Sequence, residues 1–489
     1  MTESPDHPAP PRTAPADRVP LGLTAVVEGL PDETAPATWS QQALWHCLQW
    51  RGHDAFFNQY GLFPLPERRT GEEAVAALST LMRDCPTLRT LYDDAGGSLR
   101  QTAHGTVRLP VPVHAADETA DETAEDTARR LAHAVGRRLR DEPFDSTADW
   151  PLRAALVTAG GLPRFLVLAF NRIALDSTAA GLVDARLTAL LAGTEPEPPG
   201  SRTPVEQARH ESSAQGRATA TAALAYWDSA LERTPTGLFG HPGGDPAEGG
   251  RFVQKRLASR AVTAATQHLA TRHRVSTSAV LLAATAALLR VRTGHSLLPV
   301  QVISANRADS EQADLVATLT QDGLAVLDLR QAATVADVIR AAFTAGTPAY
   351  WYAHCDEQAR RELIARHTVR RGAPLDLGVY FNDVRGPAAA PDSVGAPEEL
   401  KALAEETTLS TDGYWDRIDA RFFVSVARFD DTTLVMLQAD TVYTPEPVVE
   451  HFLRAFEKLL LTAAAAEEDV SLESLPVITG LRPDEPVIA

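Results

Sequence analysis

Apolar residues follow two rhythms along this chain. From Arg164 to Phe170 they run almost unbroken, the pattern of a short buried strand. Directly after it, Ser177 to Leu191 carries Leu182, Leu187, Leu190 and Leu191 at helical spacing. The same succession returns later: Ala261 to Thr271 predicts a helix, Ser276 to Arg290 a more buried one, and Leu298 to Ser304 a strand. Near the end come strands over Phe422 to Ala427 and Thr433 to Ala439, then a helix over Pro447 to Ala463. This mixture of strands and helices predicts an α/β fold. No internal repeat of roughly 20–50 residues is visible.

Polar and Pro/Gly-rich stretches break the pattern. Residues 1–20 are Pro-rich and predict a disordered segment. The near-repeat from Ala116 to Ala124 predicts a surface segment leading into an Arg-bearing helix. Gly193 to Pro204 is the best linker, and Thr234 to Gly250 and Gly386 to Pro397 are further loops. Ala95-Gly96-Gly97-Ser98-Leu99 predicts a glycine turn between two strands, not a carrier-type attachment serine. The organisation expected is a first lobe over 21–200, a second over 201–480 and a tail over 481–489, dividing near 195–220.

Length and charge narrow the class. With 489 residues, 44% of them hydrophobic, the chain can bury two lobes of roughly 200 residues each. The formal charge of −18 argues against nucleic acid and against anionic membrane as partners. Cys47, Cys85 and Cys355 have no metal-site or CxxC spacing, so no metal is expected, and a sparse set suits a cytoplasmic protein. The N-terminus lacks the basic start and apolar run of a signal peptide. A monomer is expected. Neither a P-loop nor a GxGxxG motif is present, so the chain does not activate its own substrate.

Several short segments, in order, resemble one family. Thr38-Trp39-Ser40-Gln41-Gln42-Ala43-Leu44-Trp45 is similar to the first motif of the condensation domains of nonribosomal peptide assembly, with Ala43 for the family's Arg. Cys85-Pro86-Thr87-Leu88-Arg89-Thr90-Leu91-Tyr92 resembles the family's HPxLRTxF segment, with Cys85 for His. Pro143-Phe144-Asp145 and Pro151-Leu152-Arg153-Ala154 resemble the stretch before the active-site strand. Tyr226-Trp227 with Leu231, Val302 to Arg307, and Leu315 to Leu329 resemble later motifs, with Gln321 for Asn and Leu324 for Pro. The resemblance implies two chloramphenicol-acetyltransferase-like lobes in a V-shaped pseudo-dimer with a central tunnel. It also implies a peptidyl or acyl carrier protein as partner, presenting substrate on phosphopantetheine, with no cofactor bound by the domain itself. Ser177, His354 and Gln321 fall at tunnel positions.

The family signature, HHxxxDG, follows a strand and precedes a helix. That slot here reads Asn171-Arg172-Ile173-Ala174-Leu175-Asp176-Ser177. In the family the second His serves an amine attacking a thioester carbonyl, because a neutral imidazole accepts a proton near pH 7. Arg172 cannot accept one, since a guanidinium stays protonated. It can still donate to an oxyanion or carboxylate. Arg172, Asn171 and Asp176 are therefore the candidate catalytic residues. The resemblance also gives Asp176 a structural pairing with Arg307. His46, His53, His354 and His367 are candidate replacement bases, each of which is more commonly a surface or core histidine. Cys85 has no neighbour that would lower its thiol pKa.

Three functions follow. The first is a separate condensation-like acyltransferase acting on a carrier-bound acyl or aminoacyl substrate, with a small-molecule amine or acyl partner, by amide- or ester-forming or related chemistry without the His base. The second is an inactive docking module, as in condensation-like domains of glycopeptide assembly that also carry Arg at the second signature position. The third is a small-molecule acyltransferase using coenzyme A.

Overall fold

The computed structural model describes residues 22–483 except 95–96, 118–122, 195, 198–199, 201, 241–245, 309 and 386–396. The Pro-rich start, most of the Ala116–Ala124 near-repeat and the end of the tail lie outside these residues, as do parts of the predicted linker and loops.

Strands before residue 171 form three small sheets. Leu23–Val27 pairs with Val107–Val111, and Glu33–Pro36, Arg100–Ala103 and Thr90–Asp93 form a second sheet. The third runs Gln59–Pro64, Leu162–Phe170, Leu152–Ala159, Val113–Ala115. Leu162–Phe170 is central in that sheet, and Phe165 to Ala169 are buried on both faces, which explains the unbroken apolar run. The helices Gly71–Asp84 and Ser177–Ala192 pack together over one face, where Leu78, Leu81, Leu187 and Leu191 share a core with Leu166 and Leu168.

After residue 250 the chain builds a single seven-stranded sheet. Its order is Gln321–Asp328, Leu297–Ser304, Val379–Asp383, Phe422–Phe429, Thr432–Asp440, Phe252–Ser259, Thr408–Trp415. Val379–Asp383 runs parallel to both neighbours, and the other pairs are antiparallel. One face packs on Arg260–His273, Thr277–Thr293, Val335–Trp351 and Glu446–Ala465. Within Thr277–Thr293 every residue from Ala279 to Leu289 is buried, so the helix is apolar all round. Among the described residues no single helix is long and apolar enough to cross a membrane.

The two halves interlock. Val316, from the loop before strand Gln321–Asp328, inserts into the core of the first half. In the strand itself, a Cβ on Gly323 would lie 2.0 Å from the Ala349 carbonyl oxygen and 3.3 Å from the Ala353 Cβ. Backbone cannot yield there as a flexible side chain would. Gly323→Val should therefore lower stability by about 2–3 kcal/mol or more, read as a lower midpoint in denaturant unfolding.

Candidate functional site

The Asn171–Asp176 segment leaves strand Leu162–Phe170 and turns into helix Ser177–Ala192. Its backbone carbonyls are almost all occupied. Asn171 O accepts from Ala174 N at 3.1 Å, which closes the turn. Arg172 O accepts from Thr318 Oγ1 at 2.8 Å, Ile173 O from the Tyr92 hydroxyl at 3.4 Å, and Ala174 O from Thr87 Oγ1 at 2.9 Å. The Asn171 side chain donates to Ser146 Oγ and accepts from Ile173 N, each at 3.1 Å. Asn171 N in turn donates to Pro151 O at 3.0 Å.

These donors and acceptors come from the segments singled out in the sequence. Gln41 links them further. Its side chain completes the capping box with Thr38, and its Nε2 donates to Tyr92 Oη and Gln101 Oε1, each at 3.1 Å. The first motif, the Cys85–Tyr92 segment, the Pro143–Ala154 stretch and the Leu315–Leu329 stretch thus converge on one turn. A turn so fully bonded holds a fixed shape before any ligand arrives.

Asp176 is buried and caps the helix, accepting from Ala179 N at 2.8 Å. Arg307 Nη2 lies 2.9 Å and 3.1 Å from its two oxygens, and Leu319 N donates to it at 2.9 Å. Arg307 also donates to the carbonyls of Gln312, Leu315 and Ala317. One guanidinium thus binds the first half's carboxylate and orders the second half's loop.

Arg172 is half-buried, and its guanidinium makes no hydrogen bond or ion pair among the described residues. Burial pulls its pKa down and the field of Asp176 opposes that pull. A guanidinium stays charged through such a shift. Ser177 is exposed in the first helical turn. Gln321 is buried, donating Nε2 to Cys355 O at 2.9 Å, while its Oε1 is enclosed without a partner.

His354 sits elsewhere, beside a residue the sequence did not mark. Its Nε2 is 3.5 Å from Glu211 Oε1, its ring lies 4.8 Å from the Trp39 ring, and its Nδ1 is enclosed without a partner. Glu211 also accepts from Trp39 N at 2.9 Å and Gln207 Nε2 at 3.0 Å. Burial pushes Glu211 up to about 8 and His354 down to about 4, so near neutral pH both are uncharged. Gln207 and Glu211 stand four apart on the short helix Pro204–Glu211, a pattern common on any helix surface, so nothing in the sequence marked Glu211.

The remaining candidates are also placed. His367 is buried against Asp228 Oδ1 at 2.7 Å, and His53 packs edge-on against Trp45. Burial lowers the pKa of His46. The thiols of Cys47, Cys85 and Cys355 are each pushed up to about 12 by burial, which makes them poor nucleophiles. Among the described residues, Asp228, Glu232 and His367 bring three potential metal ligand atoms within 4.8 Å of one another. Arg370 already holds Glu232 at 2.6 Å and approaches His367 Nδ1 at 2.9 Å, so a guanidinium neutralises that group.

Two measurements test these pairings. Asp176→Ala leaves the buried Arg307 without its carboxylate and should cost about 3–5 kcal/mol in denaturant unfolding. For Glu211, the folded pKa of about 8 exceeds the ordinary 4.5, so its contribution to stability is full at low pH and is lost as pH rises toward 8. His354, lowered from 6.5 to about 4, opposes this only at acidic pH. Between its ordinary pKa and that of buried Glu211, wild type should lose about 1–2 kcal/mol of stability with rising pH. Glu211→Gln should flatten that slope.

Comparison with known proteins agrees with this architecture. The chain resembles in fold the SgcC5 protein from Streptomyces globisporus, at 18% identity over 88% of this chain and 98% of that one, with a TM-score of 0.66. It is equally similar in fold to the X-domain solved in complex with OxyB from teicoplanin biosynthesis, at 17% identity, 92% and 97% coverage and a TM-score of 0.67. In sequence it is 28% identical over 161 residues to a probable non-canonical nonribosomal peptide synthetase, CymA, of Salinispora arenicola strain CNS-205. That match spans 32% of this chain and only 2% of the much longer synthetase. The family model of the condensation domain matches residues 32–340, well over half of the sequence, and the chain belongs to the condensation-domain family.

Proposed function

We propose that this protein catalyses acyl transfer from a carrier-bound thioester to a small-molecule amine, with Arg172 stabilising the developing oxyanion. The observation that carries this reading is the state of Arg172: a half-buried guanidinium without a hydrogen bond or ion pair among the described residues, on a turn whose other polar groups are nearly all bonded. Enclosing a permanent charge is costly unless a charged or polarised group meets it. A thioester oxygen becoming an oxyanion is such a group.

The roles follow from the geometry. Arg172 donates to the oxygen as the amine nitrogen bonds to the carbonyl carbon. When the tetrahedral centre collapses, the carbon–sulfur bond breaks and the amine proton goes to the departing thiolate, directly or through water. No side-chain base is required for a largely unprotonated amine, because orientation alone supplies up to about 7–11 kcal/mol in favourable cases. Asn171 is a positioning residue, both ends of its amide being engaged at Ser146 and Ile173. Asp176 has a structural role, since its oxygens are taken up by Arg307, Leu319 and Ala179. The phosphopantetheine arm belongs to the carrier protein.

A second reading has one observation in its favour, the fold shared with an X-domain solved bound to OxyB. In that reading the Arg172 turn is part of a docking module and makes no bond.

Mass spectrometry of acyl-carrier substrates with amine acceptors separates the two. Arg172→Ala should slow transfer by roughly 10²–10³-fold. Arg172→Lys should fail as well, because an ammonium does not reproduce the planar fork. Asn171→His with Arg172→His should lose the native activity, despite restoring the family pattern. Full activity in Arg172→Ala overturns the reading. If wild type gives no turnover, and Arg172→Ala changes only binding to a partner, the docking reading replaces it.

A further inference from the structure

A cavity of about 550 Å³ lies in the first half, between the helix Trp39–Arg51, the end of strand Thr90–Asp93 and the 143–149 loop. Its walls follow from local structure. Trp45 and Gln49 stand four apart on one face of the helix, and both line the cavity. Gly52 and His53 then take left-handed backbone, φ 77° and 56°, which ends the helix and sets His53 edge-on to the Trp45 ring, centroids 5.2 Å apart. The loop adds Phe144, Asp145 and Asp149, and Asp94 completes the lining. Within that loop Asp145 and Thr147 are exposed, whereas Ser146 between them is buried and accepts from the Asn171 amide at 3.1 Å. The cavity therefore lies on the outer side of the loop that supports the signature turn, and Arg172 is not among the residues that line it.

We propose that this cavity binds a small molecule combining an aromatic ring, an ammonium and an acceptor oxygen. The ring packs on Trp45 and Phe144, the ammonium meets the carboxylates of Asp94, Asp145 and Asp149, and the oxygen accepts from the indole N–H of Trp45. Space and walls are the first argument. Trp45 and Phe144 are 5% and 3% exposed, so the core holds both rings in place, yet both border the cavity. A volume of this size with aromatic walls is that of a small-molecule site.

The indole of Trp45 is the second argument, and it stands apart from the charges. Its Nε1 is enclosed and has no hydrogen-bond partner among the described residues. A buried donor without an acceptor is costly, and an oxygen seated in the cavity beside Trp45 removes that cost. Charge is the third argument. Asp94 Oδ2 accepts from Gln49 Nε2 at 3.1 Å, Asp145 Oδ1 from Thr147 N at 2.9 Å and Thr147 Oγ1 at 2.7 Å, and Asp149 Oδ2 from Asp145 N at 3.1 Å and Arg153 Nη2 at 3.2 Å. The other oxygen of each carboxylate takes no hydrogen bond among the described residues. An ammonium answers such oxygens with charge-assisted hydrogen bonds, and the aromatic walls favour a cation beside them. A single metal ion does not fit. The only triad of ligand atoms within 4.8 Å among the described residues is Asp228, Glu232 and His367, and a cation offers the indole donor nothing.

The test is calorimetry on the full chain and needs no turnover. Phenylalaninol carries all three groups, 3-phenyl-1-propanol lacks the ammonium and 2-phenylethylamine lacks the hydroxyl. Phenylalaninol should bind at least about tenfold more tightly than 3-phenyl-1-propanol and about fivefold more tightly than 2-phenylethylamine. Asp94→Asn combined with Asp145→Asn should cost phenylalaninol about tenfold in affinity. Trp45→Phe keeps an aromatic ring without the N–H, and should abolish the preference for phenylalaninol over 2-phenylethylamine. Melting curves show whether each variant folds, and the two Asn substitutions, at exposed positions, carry the test if Trp45→Phe does not fold. Equal binding of phenylalaninol and 3-phenyl-1-propanol, phenylalaninol binding that survives the Asn variant, a hydroxyl preference that survives Trp45→Phe, or no binding at all overturns the inference. Phenylalaninol binding of this pattern in a protein without acyl-transfer activity would leave the inference standing while the proposed function falls.

Discussion

The arrangement hangs on one ion pair between distant parts of the sequence. Asp176 ends the Asn171–Asp176 turn and starts a helix, and Arg307 reaches it from the second half at 2.9 Å. Neither charge could be buried alone without a cost of several kcal/mol. Together they do more than cancel. Arg307 spends its other donors on the carbonyls of Gln312, Leu315 and Ala317, which shapes the loop that carries Val316 into the first core and Thr318 onto Arg172 O. Leu319 N then closes back on the same carboxylate. The position of Arg172 is therefore set from both halves at once.

Much of this was legible because the elements obey simple local rules. Strand Leu162–Phe170 is central in its sheet and buried on both faces, so it reads as an apolar run. Predicted and observed helices differ at their ends by one to three residues, at the starts for reasons of capping. Ser276, at the start of its expected helix, is the N-cap, and Ser259 caps the helix expected to begin at Ala261. The motif segments were legible as well, but not their reason for existing. Only the structure shows that Gln41, Thr87, Ser146 and Thr318 all serve one turn, through Tyr92 in the case of Gln41. Glu211 stayed invisible because its character comes from enclosure by segments remote in sequence. An aspartate or glutamate on a helix or loop is ordinary until its surroundings are known.

The signature slot combines a closed turn with a permanent charge. Asn171 makes the bonds that close the turn, Arg172 projects from it, and Asp176 remains paired. What the substitution removes is a group that changes protonation state near pH 7, and what it adds is a charge that does not. No histidine makes a hydrogen bond to the groups of this turn among the described residues. His354 lies against Glu211 and Trp39, and His367 against Asp228. Burial also keeps the three thiols protonated. The proposed function accordingly rests on position and charge stabilisation. A turn bonded as closely as this one holds its guanidinium in place before any ligand arrives, so under the proposed function the donor would need no reorganisation when negative charge develops beside it.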